Sequence, residues 1–173
     1  MPRHVVLVGL PGVGKSTVGR LVSEALPAPL IDIDQLLERE VGRPVDQIIG
    51  MMGEPYFRQI EWKAVLAALD GDPAIIVPGG GWAAQPGAME TAVRCGVVIY
   101  LKCTPGTAVR RCQQGEVRPL LAGGDPIQKM GELMTEREPF YRLAEHEVAT
   151  GTRDASEVTR EVIQLARAHA GWM

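Results

Sequence analysis

The chain has 173 residues, of which 46% are hydrophobic and 23% are charged, and this composition predicts one globular domain with its own core over 1–173. The net charge of −3 argues against non-specific binding to nucleic acid or to an anionic membrane surface. Three cysteines without a CxxC pair indicate neither a disulfide framework nor a zinc site, so we expect the reducing cytoplasm. The short apolar run at the N-terminus predicts no targeting or membrane-spanning segment, and we expect a monomer.

Short β-branched apolar runs alternate with longer amphipathic segments along the whole chain. The runs predict five strands, at 5–8, 30–33, 74–77, 97–101 and 147–149. Apolar residues at helical spacing predict helices at 15–26, 54–69, 87–95, 107–112, 127–143 and 156–168. Such alternation is typical of an α/β fold of three layers, in which helices cover both faces of a parallel sheet. Ligands then bind beyond the carboxyl ends of the strands.

The first predicted strand runs directly into GLPGVGKST at 9–17, which matches GxxxxGK[ST] and opens a predicted helix. In such a P-loop, backbone amides and a helix N-terminus surround phosphate oxygens, Lys15 reaches the β- and γ-phosphates, and Ser16 ligates magnesium. The alternative is a chance glycine-rich turn, which the flanking strand and helix argue against. We therefore expect nucleotide phosphates at Gly12, Val13, Gly14, Lys15, Ser16 and Thr17.

Two aspartates, Asp32 and Asp34, follow at the end of the second predicted strand. At i and i+2 of an extended chain, their side chains are expected on the same side. We expect Asp32 to hold Mg²⁺ through water and Asp34 to orient or deprotonate an attacking hydroxyl. The alternative is that Asp34 only caps a helix at 35–40.

Two further patterns come in the middle of the chain. Glu54, Arg58 and Glu61 fall at i, i+4 and i+7 of a predicted helix, which taken alone is typical of an exposed salt-bridge ladder. Three glycines at 79–81 end the third predicted strand. This run is suited to close backbone approach to a ligand, although a simple turn is the alternative.

The last third of the chain contains a long loop and most of the arginines. The segment 113–125 carries several glycines and little periodicity, and it predicts a mobile lid that includes Arg118. Arginine suits bidentate contacts with phosphate and carboxylate and stacking on adenine, but each one also fits an exposed surface charge. The other candidates in this part of the chain are Arg110, Arg111, Arg137 and Arg153.

Together these motifs resemble the shikimate kinases, P-loop small-molecule kinases related in fold to nucleoside monophosphate kinases. The resemblance spans nearly the whole chain and rests on GLPGVGKST, Asp32-x-Asp34, Phe57-Arg58 with Glu61, the glycines at 79–81, RPLL at 118–121, and Glu136-Arg137 with Tyr141. It implies strand order 2-3-1-4-5 and a substrate-binding helical insert at about 35–62. It also implies Mg²⁺-dependent transfer of phosphate from ATP to the 3-hydroxyl of shikimate, a step towards chorismate and the aromatic amino acids.

The resemblance further implies individual roles. At the acceptor, Asp34 would contact the shikimate hydroxyls while Arg58 and Arg137 clamp its carboxylate, which reverses the interpretation of Arg58 as part of a surface ladder. The glycines Gly79, Gly80 and Gly81 would line the same site. At the nucleotide, Arg118 would reach the transferred phosphate, and adenine would lie between Arg111 and Arg153.

Two residues depart from the pattern expected of the family. Trp82 follows the glycines where a small residue is commoner, and Lys102 ends the fourth strand where an acidic residue is usual. A Trp82 ring in the acceptor pocket would change the acceptor, whereas a ring packed on the neighbouring helix would not.

Two other functions are compatible with a P-loop and a lid. One is a kinase for another hydroxylated acceptor such as gluconate or a nucleotide, although paired arginines suit a carboxylated sugar-like acceptor better. The other is a non-catalytic nucleotide-binding regulator. The chain contains no asparagine and therefore lacks the Asn-Lys-x-Asp guanine motif of many GTPases, which weighs against this second alternative.

Overall fold

The computed structural model describes residues 1–114 and 123–173. Within these ranges five strands form one parallel sheet in the order β2-β3-β1-β4-β5, which confirms the expected topology. The strands are β1 His4–Val8, β2 Leu30–Asp32, β3 Ile75–Val77, β4 Gly96–Lys102 and β5 His146–Ala149. No residue of the central strand β1 is exposed, so both faces of the sheet are covered there.

The covering layers consist of helices. They are α1 Lys15–Ala25, α2 Ile33–Val41, α3 Val45–Met52, α4 Glu54–Asp70, α5 Ala88–Cys95, α6 Pro105–Gln113, α7 Pro126–Tyr141 and α8 Ala155–Ala170. The helices α1 and α8 pack against each other and against the sheet, and α5 packs on β4. Among the described residues, no helix combines the length and the hydropathy needed to cross a membrane.

The start of α2 corrects the sequence prediction for the two aspartates. Asp32 is the N-cap of this helix, because its Oδ1 accepts a hydrogen bond from the backbone N–H of Gln35 at 3.2 Å. The helix therefore begins at Ile33, and Asp34 lies in its first turn. The prediction that Asp34 shares an extended chain with Asp32 is wrong, and so is the alternative that Asp34 caps a helix at 35–40.

The segment predicted as an insert, 35–62, covers most of α2, all of α3 and the first half of α4, and these three helices pack on one another. The sequence did not predict α3, which is short and lies between Pro44 and Gly53. Most of the predicted lid, 113–125, lies outside the described residues, and so does Arg118.

Candidate active site

A cavity of about 530 Å³ opens at the carboxyl edge of the sheet. Its walls come from the P-loop after β1, the start of α2, the glycine run after β3, the end of α6, and the connection from β5 to α8. This is the edge at which parallel α/β sheets bind their ligands. The cavity therefore lies at the edge of the sheet where the sequence predicted ligand binding.

The P-loop closes one end of the cavity, and its shape requires glycine. Gly12 and Gly14 have positive φ values of 79° and 104°. A Cβ on Gly12 would also lie only 2.7 Å from the Cys112 Sγ and still closer to the Ala108 carbonyl oxygen. The loop then opens directly into α1, whose first amides face an anion-binding site at the helix N-terminus.

Lys15 is buried in this loop. Its Nζ donates hydrogen bonds to the carbonyl oxygens of Gly9 at 2.7 Å and Leu10 at 2.9 Å. These bonds hold the ammonium group within the curve of the P-loop, beside the cavity that Lys15 lines. A fixed positive charge at this place is suited to neutralising β- and γ-phosphate oxygens.

Ser16 and Asp32 meet on the cavity wall. The Ser16 hydroxyl donates to Asp32 Oδ2 at 2.5 Å, while the other carboxylate oxygen caps α2. Both groups present the hard oxygen atoms that Mg²⁺ prefers, and Mg²⁺ is usually held by one or two carboxylates together with substrate phosphates. In 1–114 and 123–173, no group of three or more His, Cys, Asp or Glu side chains is arranged to hold a metal ion by itself. The pair therefore fits a magnesium ion whose remaining ligands are phosphate and water.

Arg111 and Arg153 line the cavity beyond the P-loop. Arg111 links α6 to the P-loop and to the connection between β5 and α8. Its guanidinium donates hydrogen bonds to the carbonyl oxygens of Val13 at 2.9 Å and Gly151 at 3.0 Å. Arg153 donates to the Ala149 carbonyl oxygen at 3.0 Å and to Glu161 Oε2 at 2.6 Å. Both predicted adenine residues thus reach the cavity, and their contact with adenine stays a prediction.

Glu54, Arg58 and Glu61 do not form a fully exposed salt-bridge ladder. Arg58 donates to Glu54 Oε1 at 3.1 Å and to Glu61 Oε1 at 2.9 Å, but the Glu61 side chain is 0% exposed. Burial raises the pKa of Glu61 to about 7, and the charge of Arg58 opposes that rise. The row is therefore exposed at Glu54 but buried at Glu61.

The three glycines after β3 lie directly against the charged side chains. A Cβ on Gly79 would collide with Glu61 Oε2 and lie 3.0 Å from Asp34 Oδ1. A Cβ on Gly80 would lie 3.2 Å from Arg137 Nη1, and one on Gly81 would collide with the Arg58 guanidinium. The run is therefore glycine because charged groups from α2, α4 and α7 converge on it.

Helix α7 supplies Arg137 and Tyr141 to this convergence. Arg137 is buried and hydrogen-bonded to the Tyr141 hydroxyl, which itself donates to the Gly80 carbonyl oxygen at 2.5 Å. Burial raises the pKa of Tyr141 to about 12, so the hydroxyl remains a donor at neutral pH. The ring of Tyr141 stacks on Tyr100, with centroids 5.2 Å apart, which fixes its position.

The departures from the family pattern have structural explanations. Trp82 is fully buried in a 3-10 turn, Trp82–Ala84, and its ring packs on Trp62 of α4 with centroids 6.0 Å apart. The interpretation of a ring packed on a helix is thus confirmed. Lys102 forms an ion pair with Glu147 of the neighbouring strand at 3.7 Å.

One residue of the site, Gln85, was not predicted from the sequence. Gln85 Nε2 donates to Glu61 Oε1 at 3.2 Å, across 24 residues of sequence. No local pattern signals such a contact, since it depends on how the chain after the glycine run turns back onto α4.

The parallel sheet, the P-loop and a second group of charged residues beside it define the class of P-loop kinases that act on small molecules. A family model described as shikimate kinase matches residues 11–167. The chain belongs to the shikimate kinase family.

Individual relatives agree with this assignment. The shikimate kinase of Mycobacterium avium is 40% identical over 164 residues, which are 94% of this chain and 93% of that protein. The shikimate kinase of Caldanaerobacter subterraneus subsp. tengcongensis is 38% identical over 162 residues, with 94% and 95% coverage.

Solved structures give the same result. Shikimate kinase from Acinetobacter baumannii in complex with shikimate superposes with a TM-score of 0.91 at 30% identity, covering 97% of this chain and 94% of that chain. A gluconokinase from Sinorhizobium meliloti shares the fold at 18% identity, with a TM-score of 0.61 and coverage of 98% and 94%.

Proposed function

We propose that this protein transfers the γ-phosphoryl group of ATP to the 3-hydroxyl of shikimate, giving shikimate 3-phosphate and ADP. The observation that carries the proposal is the convergence of Asp34, Arg58 and Arg137 on the glycine run beside the P-loop. Two arginines and an aspartate match an acceptor that carries one carboxylate and several hydroxyl groups. Family membership supports the same substrate.

Arg58 and Arg137 bind the acceptor carboxylate. They approach the glycine run from two different helices, α4 and α7, and their guanidinium groups lie against the adjacent glycines Gly81 and Gly80. Arg58 is held by Glu61 and Glu54, and Arg137 is held by Tyr141. Fixed guanidinium groups lose little side-chain entropy on binding, which favours a bidentate contact with a carboxylate.

Asp34 orients the attacking hydroxyl and accepts its proton as the new bond to phosphorus forms. It lines the cavity between the P-loop and the glycine run, which is where an acceptor must meet the γ-phosphate. The cap at Asp32 fixes the first turn of α2 and with it the place of the Asp34 carboxylate.

The nucleotide occupies the P-loop end of the cavity. Lys15 and the amides of α1 bind its phosphates, and Ser16 with Asp32 holds Mg²⁺, which neutralises phosphate charge when bound. Arg111 and Arg153 flank the adenine ring. Arg118, which the family resemblance assigns to the transferred phosphoryl group, lies outside the described residues.

An ADP-release assay coupled to NADH oxidation tests the proposal with shikimate, gluconate and nucleoside monophosphates as separate acceptors. We expect turnover with shikimate and none above background with the other two. The Asp34→Asn variant should lose at least about 10²-fold in kcat while its affinity for ATP stays unchanged. Turnover with gluconate or a nucleotide, but not with shikimate, would contradict the proposal.

A further inference from the structure

We propose that Gln85 is a positioning residue for the acceptor: acting through Glu61, it keeps the Arg58 guanidinium in place for the acceptor carboxylate. Gln85 also sets the pH below which Glu61 no longer keeps Arg58 in place. The inference rests on the proposed function. It assigns a role to a side chain outside every motif of the sequence and outside the cavity wall.

Glu61 binds its two donors through one oxygen atom. Oε1 accepts from Arg58 Nη1 at 2.9 Å and from Gln85 Nε2 at 3.2 Å. The other oxygen, Oε2, lies against Gly79 and has no hydrogen-bond donor in the described part of the chain. Gln85 and Arg58 therefore together determine how this buried carboxylate is turned.

The backbone around Gln85 is fixed, so that its side chain has a defined direction. Its N–H donates to the Trp82 carbonyl oxygen at 3.0 Å, and its own carbonyl oxygen accepts from Ala88 at 3.1 Å. Trp82 anchors this turn by packing on Trp62, the neighbour of Glu61 in α4. The tryptophan pair thus holds the donor and the acceptor of the Gln85–Glu61 hydrogen bond together.

The charge state of Glu61 is balanced close to neutral pH. Burial favours the protonated form most strongly and raises the pKa to about 7. Of the groups that face it, Arg58 in α4 and Arg137 in α7 favour the carboxylate, whereas Asp34 in α2 opposes it. The Tyr141 hydroxyl of α7, also facing Glu61, stays neutral at such pH values.

A neutral N–H donor stabilises the carboxylate without adding a charge that would compete with Arg58. Without Gln85, Glu61 should take up a proton at a higher pH, because the ionised form has lost a hydrogen bond. Protonated Glu61 no longer attracts Arg58 electrostatically, and the guanidinium gains freedom. Acceptor binding should then weaken, whereas the P-loop, on other elements, is unaffected.

The test compares Gln85→Met with Gln128→Met, which removes an exposed glutamine whose Nε2 contacts Glu132 Oε1 on α7 at 3.5 Å. KM values for shikimate and ATP are measured from about pH 5.5 to about pH 9. In Gln85→Met, the rise of the shikimate KM at acid pH should begin about one pH unit higher, the size expected for one lost hydrogen bond to a charged group. Neither the KM for ATP in Gln85→Met nor any value for Gln128→Met should change.

If Gln85 acts through Arg58, its replacement should affect the binding of charged and uncharged acceptors differently. The carboxamide analogue of shikimate lacks the charge that Arg58 binds, so Gln85→Met should have nearly the wild-type KM for it. An equal rise for both ligands would indicate a structural effect only and would overturn the proposal. A pH profile identical to that of the wild type would overturn it as well.

A measurement on the unmodified protein covers the case in which the variant does not fold. Carbon-13 NMR of labelled glutamate gives the titration of Glu61, which should coincide with the acid rise of the wild-type shikimate KM. If Glu61 titrates at a pH well away from the acid rise of the shikimate KM, the role of Glu61, and hence that of Gln85, would be refuted. A wild-type protein that does not phosphorylate shikimate at all would instead refute the proposed function.

Discussion

Replacing Gly79 with alanine places one methyl group between the two carboxylates of the acceptor site. The new Cβ would collide with Glu61 Oε2 and lie 3.0 Å from Asp34 Oδ1. The φ of Gly79 is not in the left-handed region, so the backbone accepts alanine and only the side-chain contact is unfavourable. The substitution therefore tests the packing of charged groups on the glycine run.

Overpacking of this kind costs about 1–3 kcal/mol, from which a gain of about 0.4–1 kcal/mol is subtracted because alanine restricts the unfolded chain. We expect a net loss of about 1–2 kcal/mol in the free energy of unfolding. The larger effect should be on catalysis. Displacing the Glu61 carboxylate, and shifting Asp34 by a few tenths of an ångström, is expected to lower kcat/KM for shikimate by up to about 10²-fold, with an unchanged KM for ATP.

Steady-state kinetics and denaturant unfolding measure the two effects in the same preparation. Gly131→Ala is the matched control, since it lies within α7 and a Cβ there meets no atom within 4 Å. That control should keep wild-type kinetics and gain up to about 1 kcal/mol of stability. Wild-type kcat/KM for shikimate in Gly79→Ala would refute the described packing of Asp34 and Glu61 against this residue.

Four further substitutions test other parts of the site. Lys15→Met removes the charge that faces the phosphates and should lower kcat at least about 10²-fold in the ADP-release assay, with an unchanged far-ultraviolet circular dichroism spectrum. Arg58→Lys and Arg137→Lys should each raise the KM for shikimate but not for its carboxamide, because an ammonium group cannot replace the bidentate fork; equal effects on both ligands would argue against a carboxylate clamp. Tyr141→Phe removes the hydroxyl that donates to the Gly80 carbonyl oxygen. It should lower the free energy of unfolding in urea by about 1–3 kcal/mol and raise the KM for shikimate. An unchanged unfolding midpoint would contradict the role of that hydrogen bond.

The nucleotide end of the site could be predicted from sequence because its signals are local. A strand, a GxxxxGK[ST] loop and a helix follow one another within 25 residues, so the motif can be recognised without knowing what these elements pack against. The strand order 2-3-1-4-5 came from the resemblance, since the alternation of elements predicts a parallel sheet without fixing the order of its strands.

The acceptor end could be predicted only in part. Helical spacing placed Glu54, Arg58 and Glu61 on one face but could not show that this face is buried at Glu61, where burial depends on Gly79 and the elements around it. Gln85 was not predicted at all, because its bond to Glu61 joins positions with no periodic relation. The error at Asp34 had a local cause: Asp32 caps the helix with its own side chain and so ends the strand earlier.

The proposed reaction transfers phosphate to one particular oxygen atom, the 3-hydroxyl of shikimate. The protein is incubated with ATP, Mg²⁺ and shikimate, and the product is examined by phosphorus–proton correlation NMR. We expect one phosphorylated product, with phosphorus coupled to the proton on carbon 3 of the shikimate ring, and no such product in Asp34→Asn within the same time. Phosphate on another hydroxyl, or free phosphate with unmodified shikimate, would contradict it.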